Sequence, residues 1–119
     1  MNSLQTKRIA VIGAGNVGWI LLNRLLASGV PVENLVICDS DERRASAVAG
    51  KFGVRPISLS DEAACTADAV LLAVPPKAVP DLLGAMDKWL RPGQLVISFA
   101  AAIPLEWLES WLPVDTTGQ

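Results

Sequence analysis

The chain has 119 residues, the size of one domain, and is 51% apolar and 18% charged. Those values, with a mean hydropathy of +0.40, exclude a disordered chain and supply enough apolar surface for a packed core. Ten basic against twelve acidic residues, with neither histidine nor tyrosine, argue against nucleic-acid binding and exclude a Ser-His-Asp triad, most catalytic zinc sites and a Tyr-Lys proton relay.

The first apolar run, Arg8 to Ile12, reads as a buried strand. Lys7 and Arg8 ahead of a charge-free stretch to Asn23 mimic a signal peptide. Three glycines and Asn16 inside that stretch, and Arg24 before any cleavage site, speak against export. The stretch is also too short to span a membrane. The expected location is the cytoplasm, and no membrane partner is expected.

A helix is predicted over Asn16 to Ser28, with Gly29 at its C′ position. Leu35 to Cys38 is a second strand. Asp41 to Phe52 is a second helix, which Asp39 or Ser40 can cap, and Gly53 follows its last turn. A short strand follows near Val54 to Ile57, then a brief helix that Asp61 and Glu62 begin. Ala69 to Val74 is the fourth strand and Ala78 to Leu90 the next helix, with Pro80 tolerated in its first turn. Arg91-Pro92-Gly93 turns the chain into a fifth strand, Leu95 to Phe99. A last helix runs from about Pro104 to Trp111, and Asp115 to Gln119 reads as a frayed end.

The strand runs show no in-out alternation, the mark of strands buried on both faces. The alternating order predicts an α/β doubly wound, Rossmann-like parallel sheet in the order 3-2-1-4-5, helices on both faces, spanning residues 1–114. A ligand crevice is expected at the carboxyl ends of strands one and four. Cys38 and Cys65 lie in or beside apolar segments and read as free thiols, not as a disulfide or metal site.

Gly13-Ala14-Gly15-Asn16-Val17-Gly18 has the form G-x-G-x-x-G between a strand and a helix. Gly13 permits the tight turn, Gly15 lets a pyrophosphate approach the backbone, and Gly18 lets the helix pack closely. The helix N-terminus offers unpaired N–H groups to phosphate. Asp39 ends the second strand 21 residues after Gly18, where a carboxylate accepts from the ribose hydroxyls of NAD. Ser40, Arg43 and Arg44 follow, and a hydroxyl with two guanidiniums could instead hold the 2′-phosphate of NADP. The choice between NAD and NADP stays open.

These segments resemble pyrroline-5-carboxylate reductases. The resemblance is carried by Ile9 to Gly18, Leu25 to Gly29, Lys51 to Val54, Ala69 to Val74, Arg91 to Ser98, Ala100-Ala101 and Leu105-Glu106. It implies an NAD(P)H-dependent reductase of a cyclic imine, pyrroline-5-carboxylate, giving proline. It places Gly13, Gly15, Asn16, Val17 and Gly18 at the pyrophosphate and Ser40 at the ribose rim. Ala73, Val74, Pro76, Ala100 and Ala101 would lie near the nicotinamide. In the family a helical domain follows, dimerises and completes the substrate site. It is missing here, so the chain is expected not to turn over alone, with any homo-oligomer depending on that domain. Two departures stand out: Pro75 where the family commonly has lysine, and Ala102 where it has glycine. A non-catalytic nucleotide-binding module, a related reductase with another carbonyl or imine substrate, and an S-adenosylmethionine methyltransferase remain as alternatives.

Overall fold

The computed structural model describes residues 7–58, 67–87 and 90–98. Five parallel strands form one sheet: β1 (Ile9–Ile12), β2 (Leu35–Cys38), β3 (Arg55–Pro56), β4 (Ala69–Leu72) and β5 (Leu95–Ser98). Their order is β3-β2-β1-β4-β5, as the sequence pattern predicts. Three α-helices accompany them: α1 (Asn16–Ala27), α2 (Glu42–Phe52) and α3 (Val79–Met86). Short 3-10 turns at Val32–Asn34 and Pro76–Ala78 were not among the expected elements.

The strands are level. Ile9 pairs with both Leu35 and Ala69, and Ala69 with Leu95. In-register pairing lets the two-residue side-chain period sort one set of residues to each face. Val11, Ile37 and Leu71 join Leu21, Leu22 and Leu25 of α1 and Val48 and Ala49 of α2 in one core cluster. Ala10, Ile12, Val36, Val70 and Leu72 join Met86 of α3 in the other. The two-sided wrap thus follows from strands with no polar face. Each fully buried leucine of α1 contributes roughly 1.5–3 kcal/mol.

Helix ends follow local chemistry. After Ala27 the Gly29 N–H donates to Leu26 O and the Val30 N–H to Leu25 O, both at 3.1 Å. This is the Schellman pattern, and Gly29 takes the positive φ (98°) that it requires. Val30 and Leu25 are both buried, the apolar contact that accompanies the motif. The N-cap of α2 is Asp41, which accepts from the Arg43 and Arg44 amides, and not Asp39 or Ser40. A residue two or three places ahead of those amides reaches them; Asp39 is too far back and is engaged elsewhere.

One strand departs from the expected burial, and another is shorter than expected. β5 is partly exposed, with Leu95 at 42%, because among the described residues only β4 pairs with it. β3 is two exposed residues at the other edge, next to β2, a position that tolerates Pro56. The expected helices after Ser60 and after Pro104, and Cys65, lie outside the described residues.

At the amino ends of the strands, the Arg8 amide donates to Asp68 Oδ2 (2.8 Å) and the Gln94 amide group to Ala67 O (2.8 Å). These bonds tie the starts of β1, β4 and β5 together and leave the opposite edge to form the site.

Candidate functional site

The carboxyl ends of β1, β2 and β4 lie side by side, and the three loops leaving them are stitched together. The Gly13 amide donates to Cys38 O (2.6 Å), and the Ala73 amide to Ile12 O (2.7 Å). The Ala14 amide donates to Asp39 Oδ2 (2.7 Å). A cleft of about 760 Å³ opens here, bordered by Gly13, Asp39, Ser40, Arg44, Val74 and Pro75 among others. That volume lies within the range of small-molecule and cofactor pockets. The position is the topological switch point, where β1 runs to β2 on one side and has β4 on the other.

The three glycines differ in what surrounds them. Gly13 has φ 113°, and a Cβ there would collide with the carbonyl of Ala73. A Cβ on Gly18 would collide with the carbonyl of Gly13. Both sit against main chain that cannot move aside. Gly15 is the opposite: nothing lies within 4 Å of its added Cβ. The first two close the turn, and the third leaves open room beside it.

The two helices that start at this edge also differ. α2 begins with Asp41 as its cap and Glu42 in its first turn. α1 begins at Gly15 with no side-chain cap and no acidic residue in its first turn. The leading N–H groups of α1, at Asn16, Val17 and Gly18, thus face no capping side chain. An anion is the natural complement of such an end.

Asp39 is drawn inward. Its side chain is 3% exposed. Its Oδ1 accepts from the Asp41 amide (2.8 Å) and from Arg44 Nη2 (3.0 Å). Its Oδ2 accepts from the Ala14 amide and from Arg44 Nε (3.1 Å). Burial works to raise the pKa of the carboxyl, but these amides and the guanidinium outweigh it and hold the group below its ordinary value of 3.8. Beside it, burial pushes the Cys38 thiol up to about 11, with the Asp39 charge adding to the effect. Cys38 is therefore a neutral wall of the cleft at pH 7, not a nucleophile.

Of the residues singled out from sequence, Gly13, Asp39, Ser40, Arg44 and Val74 border the cleft. Gly15, Asn16, Val17 and Gly18 form the adjoining turn and helix start without bordering it. Ala73 abuts Gly13, and Pro76 opens the 3-10 turn beyond Pro75. The exposed Arg43 gives its amide to the Asp41 cap, and the guanidinium at the cleft is that of Arg44. Ala100 and Ala101 lie outside the described residues. Sequence reasoning missed the Ala14–Asp39 bond and the contribution of Cys38 to the wall. Their signal was present in part, since each is adjacent to a strand end.

Residues 8–102 match the model of the NADP oxidoreductase, coenzyme F420-dependent, family. The chain belongs to this family. A pyrroline-5-carboxylate reductase of Pseudomonas aeruginosa is 38% identical over 109 residues, 92% of this chain and 40% of that protein. The structure of a pyrroline-5-carboxylate reductase from Coxiella burnetii superposes with a TM-score of 0.71 at 27% identity, covering 90% of this chain and 40% of that one. An imine reductase from Myxococcus stipitatus, solved with NAD+, gives 0.65 at 25% identity, covering 88% and 36%. The resemblance read from the sequence is thus borne out, as is the Rossmann-like fold. The chain spans about 40% of the length of the curated relatives it matches. Among the described residues, no helix is long and apolar enough to cross a membrane.

Proposed function

We propose that the chain is the coenzyme-binding wall of an NAD(P)H-dependent reductase acting on a cyclic imine, pyrroline-5-carboxylate, which it converts to proline. The observation that carries this reading is the uncapped start of α1 beside Gly15, where open space meets unpartnered helix amides at the switch point of the sheet. The names of its relatives supply the substrate class.

The residues fit a dinucleotide. Gly13, Gly15, Asn16, Val17 and Gly18 would hold the pyrophosphate through main-chain N–H groups. Asp39, Ser40 and Arg44, which border the cleft, would form the ribose rim, with Arg43 beside them on α2. Ala73, Val74 and Pro76, together with Ala100 and Ala101, would form the floor under the nicotinamide. When bound, the coenzyme supplies hydride. The protein's part is to orient the ring and to exclude water from the transfer. A protonated imine is already electrophilic, so the reaction asks for no proton donor here, in keeping with a chain that has no histidine or tyrosine. In this reading the substrate carboxylate and the dimer contacts belong to a helical domain. The compartment is the cytoplasm.

Titration calorimetry of the chain with NADP+ and NAD+ tests the reading, together with a steady-state assay on the imine. Binding without turnover is expected. Full turnover by residues 1–119 would overturn the need for a second domain, and silence toward both coenzymes would overturn the reading itself.

A further inference from the structure

The two edges of the sheet are unlike. In a parallel ladder successive residues turn their N–H and C=O groups alternately to one side and the other. At the β3 edge the Ile57 amide donates inward to Ile37 O (2.8 Å). The outward position is therefore that of Pro56, which has no N–H, and the exposed, charged Arg55 precedes it. Proline and charge are the usual guards of an open edge.

β5 carries neither. Its Leu95 amide donates inward to Asp68 O (3.1 Å), and Val96 lies opposite Val70 of β4. Leu95 and Ile97 thus bond toward β4, while the N–H and C=O groups of Val96 and Ser98 point outward. Among the described residues no strand takes them. The strand reads Leu-Val-Ile-Ser, and its two end residues are exposed. Ile97 sits on the α1 side of the sheet and Val96 on the α3 side.

We propose that the β5 edge pairs antiparallel with the β5 edge of a second copy of this chain, about a two-fold axis at Ile97. In that register Val96 and the partner's Ser98 exchange both main-chain hydrogen bonds, and Ser98 does the same with the partner's Val96. Every outward group of the strand is then satisfied. The two Ile97 side chains fall at the close, non-hydrogen-bonded pair, where apolar contact contributes most. A two-fold axis sets each side chain near its own twin, so a charge in the strand would meet a like charge, and β5 has none. One short strand from each copy buries far less than the roughly 1,200 Å² of a standard interface, so the dimer is weak and concentration-dependent. The pairing is independent of the coenzyme reading, since Val96, Ile97 and Ser98 do not border the cleft.

Sedimentation velocity of the full chain from micromolar to millimolar concentration tests the pairing, with amide deuterium exchange followed by NMR at both ends of the range. The dimer fraction should rise with concentration. Exchange at the Val96 and Ser98 amides should slow only where dimer forms, while the Leu95 and Ile97 amides are protected throughout. Ser98→Lys sets like charges across the axis and should raise the dissociation constant about tenfold. Circular dichroism melts report whether it folds, and if it does not, the exchange pattern of the unaltered chain decides. A monomer at every concentration overturns the proposal, as does self-association that leaves Val96 and Ser98 unprotected. Protection of both amides in the monomer overturns it too, by putting another segment of the same chain on the edge. Unchanged dimerisation of a folded Ser98→Lys chain does the same.

Discussion

The main-chain N–H of Ala14 donates to Asp39 Oδ2 across 2.7 Å, joining the glycine turn after β1 to the end of β2. One side chain thereby holds two loops, and the first prediction tests that grip. Asp39→Asn replaces one acceptor oxygen with an NH2 group that must face a donor. Destabilisation of about 1–3 kcal/mol is expected from urea unfolding at pH 7, and the Ala14 amide should exchange faster with deuterium. Unchanged stability would show that the carboxylate is dispensable.

The same carboxyl predicts an acid dependence. Its folded pKa lies below its ordinary value. Its contribution is therefore complete above the unfolded pKa, near 4, and is lost as pH falls through the lower folded value. Unfolding curves between pH 6 and pH 2 should show a steeper loss for the wild type than for Asp39→Asn. Parallel curves would rule Asp39 out as a source of acid sensitivity.

Cys38 predicts a dependence at the opposite end of the scale. Its folded thiol is pushed up to about 11, above an unfolded value near 8.5. The folded state keeps its proton where the unfolded state releases one. Stability should decline as pH rises from about 8.5 to about 11. In a Cys65→Ser background, labelling by a thiol reagent at pH 8 should be far slower in the folded chain than in urea. Rapid labelling would show that the thiol is not walled in.

Gly15 and Gly18 should separate on substitution. Gly18→Ala sets a Cβ against the Gly13 carbonyl and should cost about 1–3 kcal/mol of stability. Gly15→Ala meets open space and should leave stability within about 1 kcal/mol. It should nonetheless weaken NADP+ by about tenfold, because the methyl group occupies the approach to the α1 amides. Thermal melts and calorimetry on the two variants read the contrast directly.

Trp19 of α1 meets Phe52 of α2 edge-on, with ring centroids 5.2 Å apart, while Lys51 Nζ sits 5.9 Å from the Trp19 ring. A double-mutant cycle on Trp19→Ala and Phe52→Ala should give a coupling of about 0.5–1.5 kcal/mol. A coupling near zero would mean that the rings touch without holding the helices together.

Much of this architecture was legible in the residues because strands buried on both faces leave no ambiguity in an apolar run. Ile9–Ile12, Leu35–Cys38 and Ala69–Leu72 fall in the expected places, and the 3-2-1-4-5 order follows from right-handed crossovers. Pattern reading fails where tertiary position decides. Leu95 to Ser98 reads as buried on both faces in composition but is partly exposed, at the edge where the predicted order puts it. The glycine motif was readable because each position has a steric reason, whether crowding at Gly13 and Gly18 or open space at Gly15. The partner choice of Asp39 was not. Spacing places the carboxylate at the strand end, but only folding decides that the Ala14 amide and Arg44 reach it.

The three cross-links at the carboxyl edge, Gly13 to Cys38, Ala14 to Asp39 and Ala73 to Ile12, mean that the mouth is assembled before any guest arrives. A ligand entering it has little main chain left to order, so its association should carry a small entropic penalty and proceed without a slow rearrangement.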